Sequence, residues 1–257
     1  MKTIAFMQQK GGVAKSTSTA ALAYDLNAVG KNVLVMDADP QQNLSFIMGA
    51  NVLEIDGTLY DVWKGTRSIT EVIQSVRVGI DLITGGLALA SADFEFSGTV
   101  GREQLLKRCL ADVSGYDYIL IDCPPSLGLL TMTAATAADD VIIPMCVDIL
   151  SIQGMTQLFD FLDSIKEYCN ASLSVAGILL TVYDDTVLTT KGLESQIQEI
   201  ADSHGIKVFD TRIHKAQAIK TAQARQDFDI FGKRSRAATD YRSFTAELLT
   251  MYEGSAE

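Results

Sequence analysis

Short, continuous apolar runs alternate along this chain with longer stretches in which apolar positions recur at helical spacing. "TIAFM" (3–7), "NVLVMDAD" (32–39), "YDYILIDCPP" (116–125), "DDVIIPMCV" (139–147), "LSVAGILLTVY" (173–183) and "IKVFD" (206–210) read as strands. Their apolar residues do not alternate with polar ones, so both faces of the strands are expected to be covered. A helix is predicted from Lys15 to a glycine stop at Gly30, and further helices over 102–113, 128–138, 151–169, 189–203 and 235–251. Strands and helices in turn predict an α/β fold: a mostly parallel, twisted β-sheet flanked by helices on both faces. Ligands of such sheets lie beyond the carboxyl ends of the strands, so the polar residues that follow each run are the candidates for chemistry.

The 257 residues, 47% of them hydrophobic, suffice for one sizeable core. One domain over 1–257 is expected, with a basic C-terminal part over 207–251. No repeat, linker, signal peptide or apolar run of membrane-spanning length is evident. Cys109, Cys123, Cys146 and Cys169 are widely spaced and are expected to be buried free thiols in a reducing cytoplasm. The formal charge of -11 argues against a generally basic nucleic-acid binder. The charge is uneven, however. Residues 207–242 hold nine Lys and Arg against four Asp, a balance of +5, which leaves -16 for the rest.

After the first run comes "QQKGGVAKSTS" (8–18), a glycine turn between a strand and a helix. That is the context of a phosphate-binding loop, in which backbone N–H groups and a helix N-terminus surround an anion. Lys15 is then the lysine for the β- and γ-phosphates and Ser16 the hydroxyl for Mg²⁺. The usual G-x-x-x-x-G-K-[ST] spacing is missed twice, with Gln9 and Ala14 where glycines are expected. Asp122 closes a strand and suits the Mg²⁺ shell, and Asp37 and Asp39 close another. If that strand neighbours the first, a carboxylate there lies beside the loop, where it can orient a water for attack on phosphorus. The second lysine, Lys10, has no part in a simple phosphate loop.

"KGGVAKST" (10–17), "DADPQQN" (37–43) and "ILIDCPPSLG" (119–128) together resemble the deviant Walker A ATPases, a group of P-loop NTPases, and most closely the ParA/Soj DNA-partitioning group. The resemblance continues through "DDVIIPMCVDILSIQGMTQL" (139–158) and weakens towards the C-terminus. It implies an Mg²⁺-dependent ATPase whose nucleotide is held by Lys10, Gly11, Gly12, Val13, Ala14, Lys15, Ser16, Thr17 and Asp122. It assigns Ser16, Asp39 and Asp122 to the metal and Lys10, Lys15 and Asp39 to catalysis. Lys10 is expected to reach the phosphates of a partner subunit in an ATP-bound homodimer, as an arginine finger would. The departures are mild: relatives commonly carry Gly at position 14, Asn at 8 and Glu at 148, and alanine disfavours the positive φ that a glycine there would adopt.

What surrounds the shared engine separates the branches of this family. The acidic end "RSFTAELLTMYEGSAE" lacks the basic amphipathic helix of the membrane-binding MinD branch, so no membrane contact is expected. The cysteines do not suit the cluster of the nitrogenase iron-protein branch. No operator-reading segment precedes the first strand, which suggests the shorter, Soj-like type. In the ParA group the ATP dimer binds DNA without sequence preference through C-terminal cations. Here these would be Lys215, Lys220, Arg225, Lys233, Arg234, Arg236 and Arg242. A ParB-like centromere-binding partner and a cytoplasmic, nucleoid-associated location follow from the same resemblance. The alternative is a MinD-like regulator that positions a protein complex without touching DNA. Adenine contacts are expected near Thr181 and residues 211–217, while His204 and His214 are expected to be surface residues.

Overall fold

A computed structural model of the chain describes residues 1–52, 54–186 and 190–254; the side chains of residues 218, 220 and 223 lie outside the description. The first half runs β1 (Lys2–Phe6), α1 (Lys15–Ala28), β2 (Val33–Asp37), α2 (Asn43–Ile47), α3 (Leu59–Trp63), β3 (Gln74–Arg77), β4 (Ile80–Ile83), α4 (Ala92–Glu95) and α5 (Leu105–Leu110). The second runs β5 (Tyr118–Asp122), α6 (Leu129–Ala137), β6 (Asp140–Cys146), α7 (Ile149–Tyr168), β7 (Ser174–Tyr183), α8 (Thr190–Ser203), β8 (Val208–His214), α9 (Gln217–Ala224) and α10 (Arg236–Gly254). The described strands form one sheet in the order β3-β4-β2-β5-β1-β6-β7-β8. Every pairing is parallel except that of β3 with β4 at the edge.

The apolar runs form the central strands because they can be covered twice. Ala5 and Met7 face one core with Met36, Ile121 and Ile143, closed by α3, α5, α6, α7 and α8. Ile4 and Phe6 face the other with Val35, Leu120 and Leu179, closed by α1, α2 and α10. Successive residues of a strand point to opposite faces, so a run without polar members is what a sheet with two covers requires. Among the described residues no helix is long and apolar enough to cross a membrane.

Two expectations are corrected. The strand that carries Asp37 is not next to β1, because β5 lies between them. The register sets Asp122 opposite Phe6 on one side and opposite Asp37 on the other. Of the four free cysteines only Cys123 is fully buried; the others are half-buried.

The α1–α10 interface contains a buried carboxyl. Asp25 accepts a 3.4 Å hydrogen bond from Thr245, and the Arg242 guanidinium is near. Burial outweighs both and pushes the carboxyl up to about 7. An unfolded aspartate titrates near 4, so between about pH 4 and 7 the folded chain binds the extra proton. Stability therefore falls as pH rises through that window, and the whole cost is present above about pH 7. Asp25→Asn is expected to exceed the parent in stability at pH 8 by on the order of 1 kcal/mol, with the difference gone at pH 4. Urea unfolding at the two pH values checks this; an equal difference at both would rule out the titration.

Candidate nucleotide site

Three strand ends meet at one edge of the sheet. The loop after β1 turns into α1 through Gly12 at φ +77° and Ala14 at φ +61°. An ideal Cβ on Gly11 or Gly12 would have no heavy atom within 4 Å, so these residues leave an open cradle. Helix α1 carries no side-chain cap and no acidic residue in its first turn. Its first N–H groups and its dipole therefore face the cleft, a ready site for an anion. The cleft holds about 340 Å³ and is lined by Gly11, Gly12, Lys15, Ser16, Asp39 and Asn43 among others.

Lys15 is nearly buried there, and its Nζ donates to the Lys10 carbonyl at 3.3 Å. Burial lowers its pKa, and the Asp122 carboxylate opposes that shift. Asp122 is fully buried, and neither of its oxygens has a hydrogen-bond partner among the described residues. Burial pushes its carboxyl well above the usual range, and Asp37 beside it pushes the same way. Ser16 lies near enough to favour the ionised form without completing a bond.

Asp37 is also fully buried, but it is satisfied: Oδ2 accepts the Ser45 backbone N–H at 2.8 Å and the Ser45 hydroxyl at 2.7 Å. Its Oδ1 accepts the Asp39 N–H at 3.2 Å, and burial raises the carboxyl to about 6. Asp37 thus ties the end of β2 to α2, while Asp39 points to the cleft and accepts the Gln41 N–H at 2.9 Å. Of the two, Asp39 is the one placed to meet a ligand.

Lys10 does not enter this cleft. Its Nζ lies 2.5 Å from Asp148 Oδ2, across 138 residues of sequence. Both groups are about one-third exposed. Burial works against the Asp148 carboxylate, but Lys10 and the Ser151 N–H hold its pKa below the ordinary value.

A second cavity of about 310 Å³ shares Gly12, Ala14 and Thr17 with the first. Val182, Ile213, His214, Lys215 and Tyr241 extend it away from the phosphate loop. Thr181, expected near a base, instead donates its hydroxyl to the Val13 carbonyl at 2.9 Å and so braces the loop. His204 is exposed as expected, but His214 is not a free surface residue. Its ring lies 2.9 Å from Asp240 and 3.2 Å from Asp185. Tyr241, which sequence reasoning missed, is fully buried and shares a 3.1 Å hydrogen bond with Ser18.

Residues 1–175 match the family described as AAA domain. Over 250 residues the chain is 35% identical to the sporulation initiation inhibitor protein Soj of Bacillus subtilis, covering 96% of this chain and 98% of that protein. The chain belongs to the ParA/Soj family of P-loop ATPases. This ParA/Soj-family member is also 34% identical over 227 residues to the chromosome partitioning protein ParA of Caulobacter vibrioides, covering 86% of this chain and 84% of that one. Among solved structures, a cobyrinic acid a,c-diamide synthase of Mycobacterium smegmatis with bound ATP analog and magnesium superposes at a TM-score of 0.85 and 30% identity, covering 98% and 96%.

Of the cations expected to bind DNA, Lys215, Arg225, Lys233, Arg234, Arg236 and Arg242 are exposed in this family member, but several already have partners. Lys233 pairs with Asp227, and Arg236 donates to Asp185 at 2.6 Å. Arg242 donates to the Phe231 carbonyl and the Thr239 hydroxyl, both at 3.1 Å. Lys215 lies within the field of Asp184. Arg225 and Arg234 make no ion pair among the described residues, and the Lys220 side chain lies outside them.

Ala14 gives the sharpest local test. A left-handed backbone costs a residue with a Cβ about 1–2 kcal/mol, while glycine in its place loses about 0.5–1 kcal/mol to extra freedom in the unfolded chain. Ala14→Gly is expected to match or exceed the parent by up to about 1 kcal/mol, and Ala14→Val to fall below it by about 1–2 kcal/mol. Urea midpoints at unchanged slope measure both. A valine variant as stable as the parent would show that the loop does not hold this conformation.

Proposed function

We propose that this chain binds ATP and Mg²⁺ in the two joined cavities, dimerises across that face, and holds DNA without sequence preference while ATP is bound. A ParB-like partner would stimulate hydrolysis and end the DNA-bound state, so that the cycle serves DNA partitioning. One observation carries the reading: Lys15, Ser16 and Asp39 line an open cleft at an uncapped helix N-terminus, and Asp122 is buried near all three without a hydrogen-bond partner among the described residues. The relatives Soj and ParA support the biological setting.

The residues fit the cofactor. The open cradle at Gly11 and Gly12 leaves room for phosphates, and Lys15 brings the cation they need. Asp122 has two oxygens available to metal-bound water, which would relieve its burial. No group of three His, Cys, Asp or Glu able to hold a metal occurs among the described residues. The site suits Mg²⁺ that arrives with its nucleotide, with the Ser16 hydroxyl at the cleft as the protein ligand. Bound ATP supplies the phosphoryl group and Mg²⁺ a counter-charge; the chain supplies position. Asp39 would orient the attacking water and accept its proton, held by the Asp37 bond to its N–H. Lys10 would leave Asp148 to add positive charge at the partner's phosphates. The second cavity, with Val182, Ile213 and Ile219 in its wall beside the polar groups of Thr17, His214, Lys215 and Tyr241, suits the nucleoside.

The reading without DNA contact draws on one observation: Lys233, Arg236 and Arg242 are already committed within the chain. A retention experiment on random-sequence duplex separates the two. DNA retention is expected with ATP and not with ADP, because two subunits double the phosphate contacts. For about six contacts the log–log salt slope would be roughly -5. Arg225→Ala with Arg234→Ala removes two cations per subunit that have no ion pair among the described residues, four in the dimer, and is expected to flatten that slope by about 3.6. Absence of ATP-dependent retention at low salt would favour the reading without DNA.

Asp39→Ala is expected to keep ATP binding but slow single-turnover hydrolysis by about 10²-fold or more, leaving a long-lived ATP complex. Lys15→Ala is expected to lose nucleotide affinity itself, since no other cation among the described residues lines the cleft. Titration and quench-flow on the two variants check this. Unimpaired turnover in Asp39→Ala would transfer the water-orienting role to another group.

A further inference from the structure

Arg236 connects the basic surface to the nucleotide side of the molecule. It opens α10, and its Nη2 donates to Asp185 Oδ2 at 2.6 Å. The other oxygen of Asp185 lies 3.2 Å from His214 Nε2. His214 is a wall of the second cavity and is itself fixed to α10, where Asp240 accepts its backbone N–H at 2.9 Å and meets its Nδ1 at 2.9 Å. One carboxylate therefore bridges a cavity wall and a surface cation.

The segment that carries Asp185 begins at the phosphate loop. Thr181 donates to the Val13 carbonyl, and Val182 lines the second cavity at φ +51°. A β-branched residue in the left-handed region is strained, and such strain persists only where the surroundings impose it. Tyr183 follows, edge-on to the His214 ring at 5.6 Å, with its carbonyl accepting the Lys215 N–H. Four residues thus join the loop to Asp185, and one of them is held in a conformation that its side chain disfavours. Asp185 and Arg236 are half-exposed or more, so their pair stabilises by at most about 1 kcal/mol. A rearrangement at the cavity is enough to break it.

We propose that Asp185 guards the DNA-binding surface: it occupies Arg236 until the 182–185 segment shifts with the contents of the second cavity, and Arg236 then becomes available to a DNA phosphate. The guard is an anion in the place a phosphate would take, so the two exclude each other. This rests on the DNA reading above and adds how nucleotide would control it.

Asp185→Asn keeps the shape and removes the charge. The test uses the full chain, a random-sequence duplex and fluorescence anisotropy, without nucleotide and with a non-hydrolysable ATP analogue plus Mg²⁺. Without nucleotide the variant is expected to bind about two- to fivefold tighter than the parent, with a salt slope steeper by about 1 per subunit. With the analogue the two proteins are expected to converge. Adding Arg236→Ala should erase the gain, and Asp185→Ser should reproduce it. Nucleotide affinity measured on the same samples separates a loss of fold from a change at the surface. If the parent shows ATP-dependent binding and Asp185→Asn matches it in both states, the guard is wrong and the DNA reading stands. If neither protein binds DNA under any condition, both fall.

Discussion

A carboxylate without a partner is expensive to bury, and Asp122 is buried completely with both oxygens unmatched among the described residues. Its place is imposed by the sheet. β5 lies between β1 and β2, all three are covered on both faces, and their polar residues can appear only where the strands end. The register brings Asp122 level with Asp37; burial raises both carboxyls, and the charge of Asp37 raises that of Asp122 further. Asp37 is relieved by Ser45 and by the Asp39 N–H, but Asp122 has only the nearby Lys15 and the incomplete approach of Ser16. The fold thus carries an unmet demand for positive charge at the mouth of an anion-binding loop. A metal–polyphosphate ligand meets both halves of that demand at once, which neither a free anion nor a free cation does.

The central strands were legible because their apolar runs have no alternative to a doubly covered sheet. β1, β2, β5, β6 and β7 appear within a few residues of the runs that predicted them. β3 and β4 were not legible: each has four residues, and the edge strand "QSVR" is polar enough to pass for a loop. α2 and α3, with five residues each, are too short to show a helical period. The order of the strands was also invisible, because nothing local in "VMDADP" states that β5 separates it from the phosphate loop. β8 continues to His214 beyond the expected stop at 210, because Glu247 and Glu194 satisfy Thr211 and Arg212.

At the site, the three motifs pointed to Lys15, Ser16, Asp39 and Asp122 together, Asp39 on the condition that its strand neighbours the first; β5 lies between those strands, yet Asp39 still lines the cleft with Lys15 and Ser16. Spacing could not give the positions of side chains fixed by residues far along the chain. Lys10 finds Asp148, and His214 lies between Asp185 and Asp240. The basic C-terminal stretch shows the same limit. Its charge was evident from composition, but the acids that occupy Lys233 and Arg236 were not.

The two lysines of the loop differ in how firmly they are held, and that difference suits different tasks. Lys15 is 7% exposed and is bonded to the Lys10 carbonyl, so it cannot leave without opening the loop. Lys10 is held by one ion pair at the surface, of a kind that stabilises by about 1 kcal/mol or less. Asp148 divides its oxygens between two duties. Oδ2 takes Lys10, while Oδ1 caps α7 by accepting the Ser151 N–H at 2.9 Å. Such a cap is worth about 1 kcal/mol and does not depend on the lysine. Lys10 can therefore depart without unravelling the helix behind it, and the first turn of that helix exposes Ile149 and Leu150 beside it. A polyphosphate presented by a second copy carries several charges against the single charge of Asp148. The proposed transfer of Lys10 across an interface thus requires the loss of one weak contact and leaves the rest of the site in place.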